Sequence, residues 1–364
     1  MLSKTTLFSP IKLGSVELAN RILMAPLTRA RSDAEHVPGQ LIAQHYADRA
    51  SAGLIITEAT MVMENCCAFI NEPGIYSEAQ VEGWRKVTDA VHKKEGKIFL
   101  QLWHGGRACH PDLNKGIQPV APSPIAIEDE VYTREGKKPY TTPRALELTE
   151  IPNIVNGFQQ AAINAKAAGF DGVEVHGANG YLLDAFLRDS SNKRNDSYGG
   201  NIENRARLLL EVLDAVCDVW GSDKVGLRTS PLNGYNSMRD SDPLGLTLWL
   251  AERLNNYNLA YWHLMRSDFL GQQSSDVINL AREHYQGNLI GNMGYSHQEA
   301  DTAIQEGQLN AVAFGVPFIA NPDLVSRFEN NSVLNEADPN TFYTRGPEGY
   351  NDYPKLDLSE LKVS

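Results

Sequence analysis

The sequence predicts a closed (β/α)8 barrel, the α/β fold also called the TIM barrel, in which eight parallel strands alternate with helices. Three observations support this fold. Eight short runs rich in β-forming residues recur along the chain, helical segments separate them, and most of the runs are apolar throughout. Strands that are buried on both faces have that pattern, because helices cover both sides of a parallel sheet. The predicted strands are 21–25, 54–57, 97–103, 172–176, 225–229, 261–265, 288–291 and 311–315.

Helices are predicted before the second and later strands, where apolar residues recur with a helical period. They span 41–52, 79–94, 154–168, 202–219, 247–254, 275–285 and 297–306. A doubly wound open sheet is the alternative, but it requires a glycine-rich turn after its first strand. The chain has Ala25-Pro26-Leu27-Thr28 at that point, which favours the barrel.

Two segments interrupt the alternation of strands and helices. Residues 105–149 are rich in Pro, Gly and charge, and they are long for a connection. Because this insert follows the third predicted strand, we expect it to lie over the mouth of the barrel like a lid. Residues 330–364 carry tyrosines in polar surroundings and are expected to wrap over the barrel. With no internal repeat and no clear second domain, residues 1–364 are predicted to form one domain.

Composition excludes several classes of function. The 364 residues are 42% hydrophobic and 21% charged, as is ordinary for a globular protein. The net charge of −12 and the lack of a Lys/Arg-rich block argue against nucleic acid or an anionic membrane as a partner. No apolar run approaches the ~20 residues of a membrane helix, and residues 1–10 lack the pattern of a secretory signal. The cysteines match neither a disulfide framework nor a zinc site, so a cytoplasmic location is expected.

A cluster of polar side chains follows the fourth predicted strand. His176 and Asn179 lie three residues apart, and Tyr181 follows two residues later. Taken singly, a histidine such as His176 is more often an ordinary core or loop residue, and Tyr181 is more often a packing residue than an acid. Together, at the end of a barrel strand where active sites lie, they can stabilise negative charge on a carbonyl or nitro oxygen and supply a proton. A phenol keeps its proton near neutral pH because its pKa is about 10.

Residues at other strand ends fit a flavin mononucleotide. Gly294 and Gly315 follow the last two strands, where barrels of this type commonly bind phosphate through backbone N–H groups. Gln101 could pair with the edge of a heterocycle, and Arg228 suits an electron-rich ring atom. No His-rich or multi-carboxylate cluster at the strand ends suggests a metal. The chain has no G-x-G-x-x-G motif, so NADPH or NADH would share the substrate pocket and react in a ping-pong sequence.

These residues lie in motifs that closely resemble the old yellow enzyme family of FMN-dependent ene-reductases. The resemblance runs nearly end to end, and it also extends to the bacterial N-ethylmaleimide and pentaerythritol tetranitrate reductases and to the trypanosomatid members. Its motifs are 24–29, 101–107, 176–183, 197–200 with 203–205, and 319–324.

The resemblance implies a role for each matching position. FMN would be bound tightly but non-covalently by Pro26, Leu27, Thr28, Ala59, Gln101, Arg228, Asn292, Met293, Gly294, Gly315 and Val316. Thr28 would tune the flavin by a hydrogen bond to its carbonyl. His176 and Asn179 would bind the substrate oxygen, and Tyr181 would protonate the α-carbon. Trp103 and Phe69 would shape the substrate pocket.

Two positions depart from the family pattern. Many members have an arginine that pairs with the FMN phosphate where this chain has Val316, so we expect weaker retention of FMN than in those relatives. Phe69 stands where some relatives carry a pocket tyrosine, which removes a hydroxyl from the pocket. Cys66 and Cys67, near that wall, are expected to be packing residues.

The resemblance implies an NAD(P)H-dependent reductase of α,β-unsaturated carbonyls, maleimides or nitroalkenes, acting as a monomer or homodimer. A cofactor-free barrel lyase or hydrolase remains open at this stage. It would act on a phosphorylated substrate and use Tyr181 and His176 as acid and base. A non-catalytic carrier of flavin or another ligand is the third hypothesis, since the barrel alone does not decide function.

Overall fold

The computed structural model describes residues 6–357, and at its centre eight parallel strands close into a barrel. The strands are β1 (Ile22–Met24), β2 (Leu54–Ile56), β3 (Ile98–Trp103), β4 (Gly172–Gly177), β5 (Val225–Thr229), β6 (Tyr261–Met265), β7 (Leu289–Asn292) and β8 (Ala311–Phe314). Each strand pairs in parallel with the next, and β8 pairs with β1 to close the ring. The predicted (β/α)8 fold is therefore confirmed, and two strands, 225–229 and 261–265, have the predicted bounds.

Helices lie between the strands as predicted, with shifted ends. They are α1 (Gln40–Asp48), α2 (Glu78–His92), α3 (Ile151–Ala167), α4 (Leu182–Leu187), α5 (Ile202–Trp220), α6 (Pro243–Leu254), α7 (Val277–His284), α8 (His297–Gln305), α9 (Val316–Ala320) and α10 (Leu324–Glu329). The start of α6 shows the reason for the shifts. The Asp242 side chain accepts a hydrogen bond from the Gly245 N–H at 2.8 Å, and proline occupies the first helical position. Both features start a helix without contributing to its apolar period.

A hairpin that sequence analysis missed lies against the N-terminal ends of the barrel strands. Its strands Ile11–Leu13 and Val16–Leu18 pair antiparallel. Leu13, Val16 and Leu18 are buried in one apolar cluster with barrel residues that include Leu23. The insert and the candidate site lie at the opposite, C-terminal end of the barrel.

The insert after β3 contacts loops at that C-terminal end. It includes an antiparallel hairpin of Glu130–Thr133 and Gly136–Pro139. The Glu128 N–H donates to Ser237 Oγ at 2.9 Å, in the loop after β5. Arg107 Nη2 donates to the Asn236 carbonyl oxygen at 2.8 Å in the same loop.

The C-terminal segment is held against the loop after β1. Arg29 Nη2 donates to the Gly349 carbonyl oxygen at 2.8 Å, and Arg31 Nη1 donates to that of Phe342 at 2.7 Å. These bonds hold residues 342–349 against the loop after β1, and the wrap of residues 330–364 over the barrel stays a prediction. Residues 358–364, at the end of the segment predicted to wrap, and residues 1–5, where no secretory signal was expected, lie outside the described residues. Within 6–357 no helix is both long and apolar enough to cross a membrane.

Candidate active site

The polar turn after β4 forms the centre of the site. His176 is in β4, Asn179 has a left-handed backbone with φ of 58°, and Tyr181 precedes the first residue of α4. The Asn179 N–H donates to Ser230 Oγ at 2.8 Å, which anchors the turn to the end of β5. Asparagine adopts this backbone conformation more readily than most residues. The three side chains predicted from sequence are brought together, and the His176 and Tyr181 ring centroids lie 5.3 Å apart.

The side-chain amide of Asn179 is oriented by Asn233, which sequence analysis missed. Asn233 Nδ2 donates to Asn179 Oδ1 at 2.8 Å, and Asn233 is fully buried. Because the amide oxygen is occupied, Asn179 Nδ2 is left to donate elsewhere. Asn236 holds the same turn by donating to the Asn179 carbonyl oxygen at 2.8 Å. Neither partner is near Asn179 in sequence, so no local pattern indicates them.

His176 is a neutral imidazole at physiological pH. Burial lowers the pKa of His176 well below its usual value, and the nearby positive charge of Arg228 lowers it further. The residue is 3% exposed, and its Nδ1 has no partner among the described residues. A neutral imidazole can donate one hydrogen bond without adding charge to the pocket. His176 and Asn179 thus provide two neutral donors beside one phenol.

Aromatic side chains enclose this turn. Trp103 meets Tyr181 edge to face, with centroids 5.0 Å apart, and Phe69 lies 6.5 Å from Trp103. Burial raises the pKa of Tyr181 well above its usual value, so its hydroxyl stays protonated. Tyr343 of the C-terminal segment stacks on Phe69 at 6.0 Å. Trp103 and Phe69 were predicted here, whereas Tyr343 was assigned only to the wrap.

A buried carboxylate lies between Gln101 and His263. Glu174 is fully buried, its Oε1 accepts from Gln101 Nε2 at 2.7 Å, and its Oε2 is 2.8 Å from His263 Nδ1. Burial disfavours its charge, but His263 and Arg228 outweigh that penalty and hold the pKa of Glu174 below its usual value. The bond to Glu174 fixes the amide of Gln101, whose Oε1 has no partner in the described part of the chain. Glu174 was missed, although a carboxylate inside the apolar run of β4 is itself a signal.

Arg228 lies beside this network on β5. Its Nη2 donates to Asn292 Oδ1 at 2.8 Å, and Asn292 Nδ2 donates to the Ala313 carbonyl oxygen at 2.7 Å. The Asn292 side chain therefore links β5, β7 and β8. Arg228 is 6% exposed and its Nε has no partner among the described residues. A buried guanidinium with an unused donor indicates a polar ligand at this end of the barrel.

The turn after β7 is held by a cation that sequence analysis missed. Met293 and Gly294 have positive φ angles of 93° and 68°. Arg266, which follows β6, donates from Nε to the Met293 carbonyl oxygen at 2.7 Å and from Nη2 to that of Gly294 at 3.0 Å. Arg266 is also paired with Glu299, so part of its charge is neutralised. Arg266 therefore holds the turn after β7 through the carbonyl groups of Met293 and Gly294.

The N–H groups of Gly294 and Val316 have no acceptor among residues 6–357. Val316 is the first residue of α9, where an N–H has no partner inside the helix. Its side chain is 53% exposed and apolar. Gly315 approaches Leu27, whose Cδ2 would lie 3.5 Å from an added Cβ, so the ends of β8 and β1 adjoin. These backbone donors suit an anion.

The ends of β1 and β2 carry small or apolar groups. Pro26 and Ala59 are buried, and Thr28 is half-buried with no side-chain partner among the described residues. Glu58, by contrast, is fully buried and its Oε2 accepts from the Arg29 N–H at 3.0 Å. Burial raises the pKa of the Cys66 thiol to about 12, and its Sγ donates to the Met63 carbonyl oxygen at 3.0 Å. The four cysteines are free.

The unpaired polar atoms fit FMN. His176 Nδ1, Arg228 Nε and His263 Nε2 are buried without partners among the described residues. Each such atom costs about 1–3 kcal/mol unless a ligand or water completes it. A flavin ring offers donors and acceptors along one edge, and its phosphate suits the free N–H groups after β7 and β8. No group of three or more His, Cys, Asp or Glu side chains in residues 6–357 could hold a metal ion.

Comparisons with known proteins show similarity to flavin oxidoreductases and alkene reductases. A family model described as the NADH:flavin oxidoreductase / NADH oxidase family matches residues 6–335. A probable flavin mononucleotide-dependent alkene reductase of Leishmania infantum is 49% identical over 354 residues, which are 96% of this chain and 97% of that protein. The structure of the old yellow enzyme from Trypanosoma cruzi has a TM-score of 0.93 at 48% identity, covering 97% of this chain and 99% of that one. Morphinone reductase in complex with tetrahydroNAD has a TM-score of 0.93 at 45% identity, covering 97% and 98%.

Proposed function

The chain belongs to the NADH:flavin oxidoreductase / NADH oxidase family, and from that premise we propose that it is an FMN-dependent ene-reductase. It uses NADPH or NADH to reduce the activated C=C bond of α,β-unsaturated carbonyls, maleimides or nitroalkenes. The observation that carries the proposal is the pair of neutral donors, His176 and Asn179, fixed beside the protonated phenol of Tyr181. The cofactor-free lyase or hydrolase hypothesis finds no support among the relatives, which are flavin oxidoreductases and alkene reductases.

We propose that FMN is bound by the same residues that were predicted from the sequence. Gln101 and Arg228 would hold the ring of FMN, with Pro26, Leu27, Thr28 and Ala59 around it. The N–H groups near Met293, Gly294, Gly315 and Val316 would bind the phosphate of FMN. All of these residues would belong to a single domain. Asn292 would act through Arg228, to which it is hydrogen-bonded at 2.8 Å. When bound, FMN would supply the hydride-transfer chemistry that links the nicotinamide to the β-carbon of the substrate.

The residues of the β4 turn supply the remaining chemistry. His176 and Asn179 donate to the carbonyl or nitro oxygen of the substrate and stabilise the negative charge that grows on it. Tyr181 gives its proton to the α-carbon, and its high pKa keeps that proton in place until it is needed. Trp103 and Phe69 exclude water from the reacting bond. Since one pocket serves both reactants, the nicotinamide leaves before the alkene enters.

An absorbance titration with a para-substituted phenol tests the proposal. We expect flavin bands in the purified protein and a new long-wavelength charge-transfer band when the phenol binds at His176 and Asn179. A protein that is colourless and takes up no added FMN would refute the flavin assignment.

A double variant tests the donor pair itself. His176→Ala with Asn179→Ala should weaken phenol binding while leaving the flavin bands in place. The matched control is His284→Ala with Asn256→Ala, which removes the same types of side chain at the end of α7 and two residues beyond α6. Unchanged phenol affinity in the first variant would remove His176 and Asn179 from the proposed role.

A further inference from the structure

A polar network lies inside the barrel, next to the turn that carries the donor pair. Glu174 precedes His176 by two residues on β4, so the two side chains lie on the same side of that strand. In the register of the barrel, Gln101 on β3 is the neighbour of Glu174, and Arg228 on β5 is the neighbour of His263 on β6. The network therefore joins Gln101 and Arg228, which are proposed to hold the flavin ring, to two residues without an assigned role.

A glycine on the strand between them lets Glu174 and His263 meet. They lie on β4 and β6, which are separated by β5, and the register neighbour of Glu174 on β5 is Gly226. A Cβ added at Gly226 would lie 2.3 Å from the ring of Tyr261 on β6, so the glycine leaves this space to other side chains. Glu174 Oε2 and His263 Nδ1 are 2.8 Å apart across the middle strand.

The network carries a negative charge that its hydrogen bonds do not require. Burial lowers the pKa of His263, so the imidazole is neutral at neutral pH and its Nδ1–H donates to the ionised Glu174. A glutamine at position 174 could accept from Gln101 and donate to the other tautomer of His263, without the cost of a buried charge. Packing and hydrogen bonding alone therefore do not explain the carboxylate.

The carboxylate has two effects on a flavin held by Gln101 and Arg228. It can only accept hydrogen bonds, so the Gln101 amide turns its Nε2 toward Glu174 and keeps its Oε1 for the N–H of a ligand. Its negative charge also offsets the positive charge of Arg228. FMN gains negative charge when it takes up a hydride, so a nearby carboxylate makes that uptake less favourable and lowers the reduction potential.

We propose that Glu174 is a positioning residue for the cofactor, which orients the amide of Gln101 and keeps the reduction potential of bound FMN low. His263 holds the carboxylate in place and in its ionised form. This inference rests on the proposed function, since it assumes that FMN binds to Gln101 and Arg228. A low potential makes the reduced cofactor a stronger hydride donor, which favours transfer to the alkene.

The reduction potential of bound FMN in two variants of Glu174 tests the inference. Glu174→Gln keeps the shape and removes the charge, so reduced FMN should bind about tenfold more tightly relative to oxidised FMN than in the wild type. That ratio corresponds to a potential about 30 mV higher for a two-electron couple. Glu174→Asp keeps the charge and shortens the side chain. It should weaken FMN binding about threefold to tenfold and leave that ratio within about twofold of the wild type.

Potentials are measured by equilibration with a reference dye, and FMN affinities by fluorescence titration of the apoprotein. Glu211→Gln is the matched control, because it removes a carboxylate on α5, where Tyr198 donates to it at 3.0 Å. An unchanged potential in Glu174→Gln, or an equal rise in Glu174→Asp, would overturn the role of the charge. Unchanged FMN affinity in Glu174→Asp would overturn the positioning of Gln101.

His263→Leu is the second variant, for the case in which Glu174→Gln does not fold. Without the imidazole donor, the carboxyl group takes up a proton at a higher pH. The potential should then rise more steeply than in the wild type as the pH falls, and a wild-type slope would overturn the inference. If the wild type binds FMN and reduces an enone while these results fail, only this inference is lost. A wild type that takes up no FMN would overturn the proposed function as well.

Discussion

Replacing Val316 by arginine tests how the protein holds the phosphate of its flavin. Val316 is the first residue of α9, and its backbone N–H has no acceptor among the described residues. An arginine there would add a cation to a site in which Arg266 is already paired with Glu299. We expect the variant to bind FMN more tightly.

The size of the effect follows from exposure. A charged hydrogen bond contributes about 1.5–3 kcal/mol when water is excluded, and an exposed ion pair contributes about 0.2–1 kcal/mol. Position 316 is 53% exposed, so the gain should lie between the middle of the lower range and the bottom of the upper one, at about 0.5–1.5 kcal/mol. That gain corresponds to a dissociation constant about two- to tenfold lower.

The assay is a fluorescence titration of the apoprotein with FMN and, separately, with riboflavin, which has no phosphate. Val316→Leu is the matched control for side-chain size without charge. We expect Val316→Arg to bind FMN more tightly and riboflavin unchanged, and Val316→Leu to show neither change. A phosphate contact at position 316 is refuted if the affinity for FMN does not change, or if the affinity for riboflavin rises as much as that for FMN.

Three further predictions concern the pocket and its surroundings. Tyr181→Phe should slow alkene reduction about 100-fold or more while leaving flavin reduction by NADPH within about twofold in stopped-flow experiments; equal losses in both half-reactions would contradict the proton-donor role. Asn233→Ala should raise the dissociation constant of a phenol about threefold to tenfold, because Asn179 loses the bond that orients its amide; an unchanged spectral titration would argue against that orientation. Burial lowers the pKa of His104 to about 4, and the unfolded value is about 6.5, so the unfolded chain binds the proton first as the pH falls. This stabilisation is complete above about pH 6.5 and is lost as the pH falls towards 4, by about 3 kcal/mol in all. His104→Asn should reduce the pH dependence of urea unfolding, and an unchanged pH dependence would contradict this account.

The barrel could be predicted because its strands are apolar on both faces and its helices have one apolar face. The hairpin of Ile11–Leu13 and Val16–Leu18 could not, because three-residue strands are too short to show a period. Helix ends shifted where a capping side chain such as Asp242, rather than the apolar pattern, sets the boundary.

The centre of the site was predictable for a similar reason. His176, Asn179 and Tyr181 are close in sequence and follow one strand, so a local pattern contains them. Asn233 and Tyr343 reach the same pocket from distant segments, and only the closed barrel brings them there. Glu174 was visible as a charged residue in an apolar strand, but its partner on another strand was not.

The bonds between the loop after β1 and the C-terminal segment have a consequence for synthesis of the chain. Arg31 reaches the Phe342 carbonyl oxygen across 311 residues, and Arg29 reaches that of Gly349 across 320. A ribosome adds about 5–20 residues per second, and the emerging chain folds from its N-terminus. The strands of the barrel can therefore pair before Tyr343 has left the exit tunnel. One wall of the pocket is completed only after Tyr343 has emerged, so a nascent chain stalled before that point should have a barrel whose mouth is still open.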